Sequence, residues 1–302
     1  MISIVGATGY VGSYFQKHLK QLDVPFVTCT ARFPLDEREF IKHLLQNKVT
    51  KVINCAGYTG KPNVDSCEIG DNKTDCLFAN ALLPAAIANV CNKFNIEMFH
   101  ISSGCIYNDT ECEKEHKPSR IFTERDEPNF TYESGYCSWY SGSKALGETL
   151  LKGKDVSIFR LRIPFDGSIS DRNYIQKIVK YPKLLAATNS FSQLEEYVAA
   201  VTQFVITKKR WSDVIFHDEI FNVTQPGYLT THEVVEILQK YNLVKDKTWF
   251  NSVEHFSDTN LAPRSNCVLD STKAINRGFK LTHVQDAMEA AISKYAYNLK
   301  HA

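Results

Sequence analysis

A glycine turn set between an apolar strand and a helix constrains this chain more than any other stretch. Ile2-Ser3-Ile4-Val5 reads as a short buried parallel strand. Gly6-Ala7-Thr8-Gly9-Tyr10-Val11-Gly12 follows, and Phe15, Leu19 and Leu22 carry a helical pattern beyond it. Strand, glycine turn and helix in that order are the context of a phosphate-binding loop. Gly6 permits the tight turn, and Gly9 lets backbone amides approach a pyrophosphate. Gly12 lets the helix pack on the sheet, with its N-terminus facing the anion. Thr8, Tyr10 and Val11 belong to the same loop. The spacing is G-x-x-G-x-x-G rather than G-x-G-x-x-G, and a glycine-rich turn without a ligand is the alternative.

The next strand, Pro25 to Cys29, ends where a dinucleotide site places an acidic residue on the ribose. This chain has Thr28, Thr30 and Arg32 there, and no carboxylate before Asp36. Arg32 suits a 2′-phosphate, which favours NADPH, with NADH the alternative; Arg32 as a solvated surface residue is the other reading. Lys51 to Gly57 is a further strand running into small residues, Cys55-Ala56-Gly57, where backbone can approach a flat cofactor. A helix is predicted over Ala79 to Phe94. Asn80 in it either contacts the cofactor or makes a local backbone hydrogen bond.

Glu97 to Ser103 reads as a strand that delivers Ser103-Gly104-Cys105-Ile106-Tyr107 to its carboxyl end, where open α/β sheets place ligands. Downstream, Gly135 to Glu148 holds Tyr140 and Lys144, four apart and so on one helix face. An ammonium beside a phenol is expected to lower the phenol's pKa toward working pH and to deliver a proton to a carbonyl oxygen. A hydroxyl at Ser103 can donate to the same oxygen. Cys105 alone is more simply a small buried residue, and His100 a satisfied strand histidine. Cys112 and His116 fall in a polar insertion, Asn108 to Asn129, read as a surface excursion or lid and not a metal site.

Val156 to Arg162 is predicted as a strand, with Arg160 and Arg162 read first as support for the sheet and second as substrate phosphate contacts. Helices are predicted over Asp171 to Tyr181, carrying Lys177, over Gln193 to Lys208, over Thr231 to Tyr241 capped by Thr230 or Thr231 with Glu233 nearby, and over Val284 to Leu299. Strand residues are expected over Val214 to Val223. No linker or repeat divides the chain, so residues 1–163 are expected to form a nucleotide-binding domain and 164–302 a smaller docked lobe that can return elements to the sheet.

With a net charge of +1, no global field recruits nucleic acid or a membrane. Nine cysteines without metal-type spacing point to reduced thiols and a cytoplasmic address. No signal segment is read at Met1, and no apolar run was expected to reach the ~20 residues of a membrane span.

Glycine turn, Ser103, Tyr140 and Lys144 in this order resemble an extended short-chain dehydrogenase/reductase: an α/β fold with a Rossmann-type doubly wound parallel sheet and a smaller C-terminal substrate-binding lobe. Four further stretches sharpen the resemblance: Ala56 to Asp65, Gly104 to Tyr107, Asp171 to Lys177, and Ala262-Pro263-Arg264-Ser265-Asn266 with Leu269-Asp270. Together they are similar to the bifunctional UDP-4-keto-6-deoxy-glucose 3,5-epimerase/4-reductases. These form the C-terminal part of plant rhamnose synthases and occur in stand-alone forms, a giant-virus one among them; the bacterial dTDP-4-dehydrorhamnose reductases are more distant.

The resemblance implies NADPH, a nucleotide-sugar substrate, and conversion of UDP-4-keto-6-deoxy-glucose to UDP-L-rhamnose. It implies that Ser103 and Tyr140 hold the sugar C4 oxygen and that Lys144 contacts the nicotinamide ribose. Cys105 and Lys177 are implied as the epimerisation acid/base pair. Asn63, Asn173 and Arg264 are implied as substrate contacts, with a surface ion pair the alternative for Arg264. Ser103 departs from the threonine of the plant relatives. A homodimer is expected, as is a separate 4,6-dehydratase upstream, and for a viral form the address is the host cytoplasm. Two other readings stand beside this one: a 4-keto sugar reductase without epimerisation, and a cofactor-binding regulatory subunit without turnover.

Overall fold

Alternating apolar residues on each short strand give the sheet two buried faces, and parallel pairing follows from helical crossovers. The computed structural model describes residues 1–110, 117–208, 219–250 and 261–301. Six parallel strands are β1 (Ile2–Val5), β2 (Phe26–Cys29), β3 (Lys51–Asn54), β4 (Glu97–Ser103), β5 (Val156–Leu161) and β6 (Ile220–Asn222). Their order is β2-β1-β3-β4-β5-β6. Ile2 lies opposite both Phe26 and Lys51, and His100 opposite both Asn54 and Ile158. The chain reverses direction across the sheet at β1, so the loops leaving β1 and β3 part and open a crevice at the carboxyl edge.

On one face, Ile4, Phe99 and Phe159 meet Phe15 and Leu19 of α1 (Tyr10–Gln21) and Val201 and Phe204 of the helix Leu194–Thr207. On the other, Val5, Val52, Met98 and Ile158 meet Leu44 of α2 (Glu37–Gln46) and Ile87 of a long helix. Full burial of each such side chain contributes about 1.5–3 kcal/mol. The long helix comprises α3 (Asn72–Leu77), a π-helical turn (Phe78–Leu82) and α4 (Leu83–Lys93). It therefore starts earlier than the predicted Ala79, and Asn80 sits in the π turn.

Contrary to the expectation that no apolar run is long enough, Asn72–Lys93 meets the length and composition of a membrane span. Half of its apolar window is buried in this fold, where it packs on the Tyr140 helix and β4. Helix α2 has no counterpart in the sequence reading; Asp36 caps it by accepting from the Glu39 N–H, and it buries only Phe40 and Leu44.

A third core belongs to the C-terminal part. Phe165, Ile175, Phe191, Leu238, Met288 and Ile292 are among its members. Its helices are the short Tyr174–Lys180, Thr231–Lys240 and Val284–Lys300. Thr230 and Glu233 close a reciprocal capping box on the second of these. Between these stretches, Leu194–Thr207 and β6 return to the main sheet. Strand β6 occupies the end of the stretch expected to be extended; positions 214–218 of that stretch lie outside the described residues, as do Cys112 and His116.

Candidate active site

The glycine turn needs its glycines for space. Gly6 has φ +74°, and a Cβ there would stand 2.6 Å from the Ala56 nitrogen. A Cβ on Gly12 would stand 2.3 Å from the Gly6 carbonyl oxygen. Gly9 precedes α1 in an extended conformation, with φ −72°, so its lack of a side chain matters for access and not for the turn itself. Thr8 and Gly9 are exposed at the helix N-terminus, with Val11 half-buried beside them. Tyr10 directs its hydroxyl elsewhere, to Asp166 Oδ2 at 2.5 Å. Arg32 is exposed just past β2, as a 2′-phosphate contact requires.

Across the crevice, the strand ending at Asn54 delivers Cys55, Ala56 and Gly57. A Cβ on Gly57 would meet Asn80 Oδ1 at 3.0 Å and Lys144 Nζ at 3.1 Å. Glycine therefore leaves a flat cradle with an ammonium at its floor. Asn80 proves to be a local anchor: its Oδ1 accepts from the Tyr58 N–H (2.9 Å), and its Nδ2 donates to the Tyr58 carbonyl (2.9 Å) and Ser143 Oγ (3.0 Å). The glycine turn, the cradle and Arg32 fit a dinucleotide phosphate.

Lys144 lies on α5 (Trp139–Leu151), which Ser138 caps by accepting from the Ser141 N–H at 3.0 Å. Tyr140 stands one turn earlier, half-buried, with its hydroxyl end enclosed. The expectation that Lys144 lowers the Tyr140 pKa is overturned. Burial pushes the Tyr140 hydroxyl well above its ordinary value, the Cys105 side chain pushes it further, and the hydrogen bond with Ser103 only partly opposes them. Burial also pulls Lys144 down from the usual lysine range. Tyr140 is thus held in its protonated, donor form. His100 is the satisfied strand histidine expected: Asn54 Nδ2 donates to its Nδ1 at 3.1 Å, and burial holds its pKa well below the usual imidazole range.

Ser103 ends β4 and turns the chain into a 3₁₀ turn, Gly104–Ile106, by accepting from the Cys105 N–H at 3.1 Å. Cys105 is thereby half-exposed beside Tyr140. Arg160 is structural, as first read. Its guanidinium grips both carboxylate oxygens of buried Glu148 at 2.6–3.1 Å and donates to the Tyr107 hydroxyl at 2.9 Å. This pins α5 to β5. Arg162 is not what either sequence reading foresaw: its Nη1 donates to Cys105 Sγ at 2.8 Å.

Lys177 lies on α6 (Tyr174–Lys180), without a hydrogen bond to Cys105 or Tyr140, and its charged neighbours are Arg172, Arg264 and Asp171. Burial lowers its pKa, and the guanidinium groups of Arg172 and Arg264 lower it further. Arg172 had no role in the sequence reading beyond membership of a marker stretch. It ties α6 to the loop after β3, donating to Thr59 Oγ1 (2.7 Å) and the Gly60 carbonyl (2.9 Å). Arg264 forms a bidentate pair with Asp65, at 3.0 and 2.7 Å. Burial acts to raise the Asp65 pKa, but the Arg264 guanidinium and the Ala262 N–H outweigh it and hold the carboxyl below its usual range.

Asn63 caps the 3₁₀ turn Val64–Glu68, accepting from the Asp65 N–H at 2.9 Å. Asn173, expected to touch substrate, is fully buried and occupied. Its Nδ2 donates to the Asp166 and Ser168 carbonyls at 2.8 and 2.7 Å and to Asp166 Oδ1 at 3.2 Å, while its Oδ1 caps α6. Asp166 in turn takes the hydroxyls of both Tyr10 and Tyr14. Among the described residues no cluster of His, Cys, Asp and Glu could hold a metal ion.

The doubly wound sheet with Ser103, Tyr140 and Lys144 at its carboxyl edge defines a class, a Rossmann-type fold of the extended short-chain dehydrogenase/reductase kind. Within it, the family model for the RmlD substrate binding domain matches residues 1–297, and the chain belongs to that family. It is 31% identical, over 97% of its length, to a trifunctional UDP-glucose 4,6-dehydratase/UDP-4-keto-6-deoxy-D-glucose 3,5-epimerase/UDP-4-keto-L-rhamnose-reductase of Arabidopsis thaliana, of which it spans only 41%. It is 30% identical to a bifunctional dTDP-4-dehydrorhamnose 3,5-epimerase/dTDP-4-dehydrorhamnose reductase of the same plant, covering 94% of this chain and 90% of that one. Among solved structures, the L780 UDP-rhamnose synthase of Acanthamoeba polyphaga mimivirus superposes with a TM-score of 0.85 at 24% identity, covering 97% of this chain and 99% of that one. The dTDP-4-dehydrorhamnose reductase of Bacillus anthracis, solved with NADP, superposes at 0.75 with 15% identity over 97% of this chain and 98% of that one.

Proposed function

We propose that this chain reduces the 4-keto group of a nucleotide sugar with NADPH and also epimerises C3 and C5, converting UDP-4-keto-6-deoxy-glucose to UDP-L-rhamnose. The observation that carries the reading is the half-exposed Cys105 thiol beside the Ser103–Tyr140 pair, with Lys144 one turn away. A plain reductase needs the last three residues and has no use for the first. The names of the plant relatives carry both activities, and that of the viral structure carries UDP-rhamnose synthesis.

The glycine turn, with Gly6, Thr8, Gly9, Tyr10, Val11 and Gly12, would hold the pyrophosphate through backbone amides, and Arg32 the 2′-phosphate. Cys55, Ala56 and Gly57 would line the cradle that Asn80 keeps open, and Lys144 would reach the ribose. When bound, NADPH supplies the hydride. Tyr140 gives its proton to the C4 oxygen, and Ser103 donates a hydrogen bond to the same atom. A C4 ketone acidifies the protons at C3 and C5. Cys105 and Lys177 would take and return those protons, and burial makes the Lys177 ammonium a readier proton donor than an ordinary lysine. Arg172 and Arg264, with Asn63 shaping the loop, offer positive charge to the nucleotide diphosphate.

We place the substrate in the groove between residues 1–163 and the lobe built from 164–302. The remaining parts of the reading are a homodimer, a cytoplasmic address and a separate 4,6-dehydratase as the source of substrate. The eight cysteines among the described residues are all free thiols, which fits a reducing compartment.

The test is NMR of UDP-4-keto-6-deoxy-glucose with the purified protein in D₂O, with and without NADPH. Deuterium at C3 and C5 without cofactor, then L-rhamnose with it, is expected. Cys105→Ala is expected to lower exchange by ~10²–10⁴-fold while NADPH still binds. Reduction without exchange above the spontaneous background would leave a 4-keto reductase, and no turnover would leave a binding subunit.

A further inference from the structure

Arg162 is 3% exposed and lies behind Cys105. Its Nη1 donates to Cys105 Sγ at 2.8 Å. Its Nη2 is held by Asn189 Oδ1 at 2.5 Å and by the Ser265 carbonyl at 2.7 Å. Its Nε has no acceptor. Among the described residues no carboxylate pairs with it, in contrast to Arg160. A buried guanidinium without a counter-ion is costly, and it favours negative charge on whatever neighbour can carry it. The titratable and charged groups around the thiol are few. Tyr140 and Lys144 face Cys105 from α5, and Cys267 and Arg162 complete the set. Burial holds the Tyr140 and Cys267 protons in place. Cys105, half-exposed and directly hydrogen-bonded to the guanidinium at 2.8 Å, is the group on which that unanswered charge bears.

We propose that Arg162 is the positioning residue for Cys105: it fixes the sulfur at the mouth of the site and stabilises the thiolate that removes a ring proton during epimerisation. This rests on the reading of Cys105 as an epimerisation base. In the step, a C–H bond beside the ketone breaks and its proton forms S–H on Cys105. The electron pair moves onto the C4 oxygen as an enolate held by Tyr140 and Ser103, and a proton from Lys177 restores C–H with inverted configuration. Asn189 and Ser265, from separate segments, aim the guanidinium, so the geometry does not depend on substrate.

The test follows Cys105 itself. Its iodoacetamide alkylation, read by mass spectrometry of the Cys105 peptide across pH in the NADPH-bound protein, reports the thiolate without turnover. Arg162→Met is expected to shift the alkylation curve up by about one pH unit or more. It is expected to cut C3/C5 deuterium exchange by ~10-fold or more, and to leave reduction of already epimerised UDP-4-keto-L-rhamnose within about threefold. Arg162→Lys is expected to fall between wild type and Arg162→Met on both readouts, and it carries the test if the methionine variant does not fold. An unshifted alkylation curve, wild-type behaviour of Arg162→Lys, or exchange and reduction falling together would overturn the role. Exchange that survives in Cys105→Ala would instead sink the reading of Cys105, whatever Arg162 does.

Discussion

Arg160 and Arg162 stand two residues apart at the end of one strand and are equally buried, at 2% and 3% exposure, yet they live in different surroundings. Arg160 is closed by a carboxylate: Glu148 takes three of its donor contacts, and Ser102 Oγ donates to that same carboxylate at 2.5 Å. Arg162 is closed by neutral groups and a thiol. The first arrangement is internally balanced and its work is to hold α5 against the sheet. The second leaves charge to be answered from the site. On this strand, support and reactivity are separated by one intervening residue, and only the partner identifies which is which.

The largest effect should come from breaking the balanced pair. Arg160→Ala leaves buried Glu148 with the Ser102 hydroxyl but no counter-ion and is expected to cost about 3–5 kcal/mol in urea unfolding. Whatever stays folded should show exchange and reduction reduced in parallel, unlike the Arg162 variants. A selective loss of exchange in Arg160→Ala would erase the contrast between the two arginines.

Arg264 offers an intermediate case, carboxylate-paired but with side chains 26% and 20% exposed for Arg264 and Asp65. Asp65→Asn is expected to cost about 1–2 kcal/mol, less than a fully buried pair because solvent screens it. The Asp65 carboxyl is depressed in the folded state, so its contribution is complete above the unfolded carboxylate range, at about pH 4. It is lost as pH falls through the folded value. The stability gap between wild type and Asp65→Asn should therefore close in acid, as melting curves across that range would show. A gap that widens in acid would mean that Asp65 is not held as a carboxylate by Arg264.

The smallest effect belongs to the surface pair of Lys180 and Asp171, at 2.7 Å with side chains 57% and 84% exposed. Asp171→Asn is expected to leave the melting temperature unchanged within error. A clear drop would show that burial is not what ranks these pairs.

Local features were legible. The glycine turn, the strand ends and the i,i+4 placement of Tyr140 and Lys144 follow from spacing and apolar period alone, and the structure places them as read. Pairings across long stretches of chain were not. Arg264 and Asp65 are 199 positions apart, and Arg162 and Cys105 are 57 apart. No short-range pattern joins such residues. Asn173 was expected at the substrate because it belongs to the Asp171 to Lys177 stretch that carries the resemblance, but Asp166 and the α6 cap take up its amide. The direction of the Tyr140 shift escaped for a related reason: a nearby lysine is visible in the sequence, whereas enclosure by Ser103 and Cys105 exists only once the strand and helix have packed. Helix α2 went unread because two buried residues, Phe40 and Leu44, make too thin a stripe.

Asp166 has a consequence for anyone who would recombine this protein. Its carboxylate takes Tyr10 and Tyr14 from the helix of the glycine turn with one oxygen, and the Ser168 amide and Asn173 with the other. Asp166 thus fastens the helix of the glycine turn to the stretch that leads into α6, beside the ties made by Arg172 and Arg264. A chimera that joins residues 164–302 to a foreign nucleotide-binding fold must carry both tyrosines across with it. A swap drawn at the apparent seam would leave a buried anion half-satisfied and Lys177 on a helix whose first turn has lost its registration.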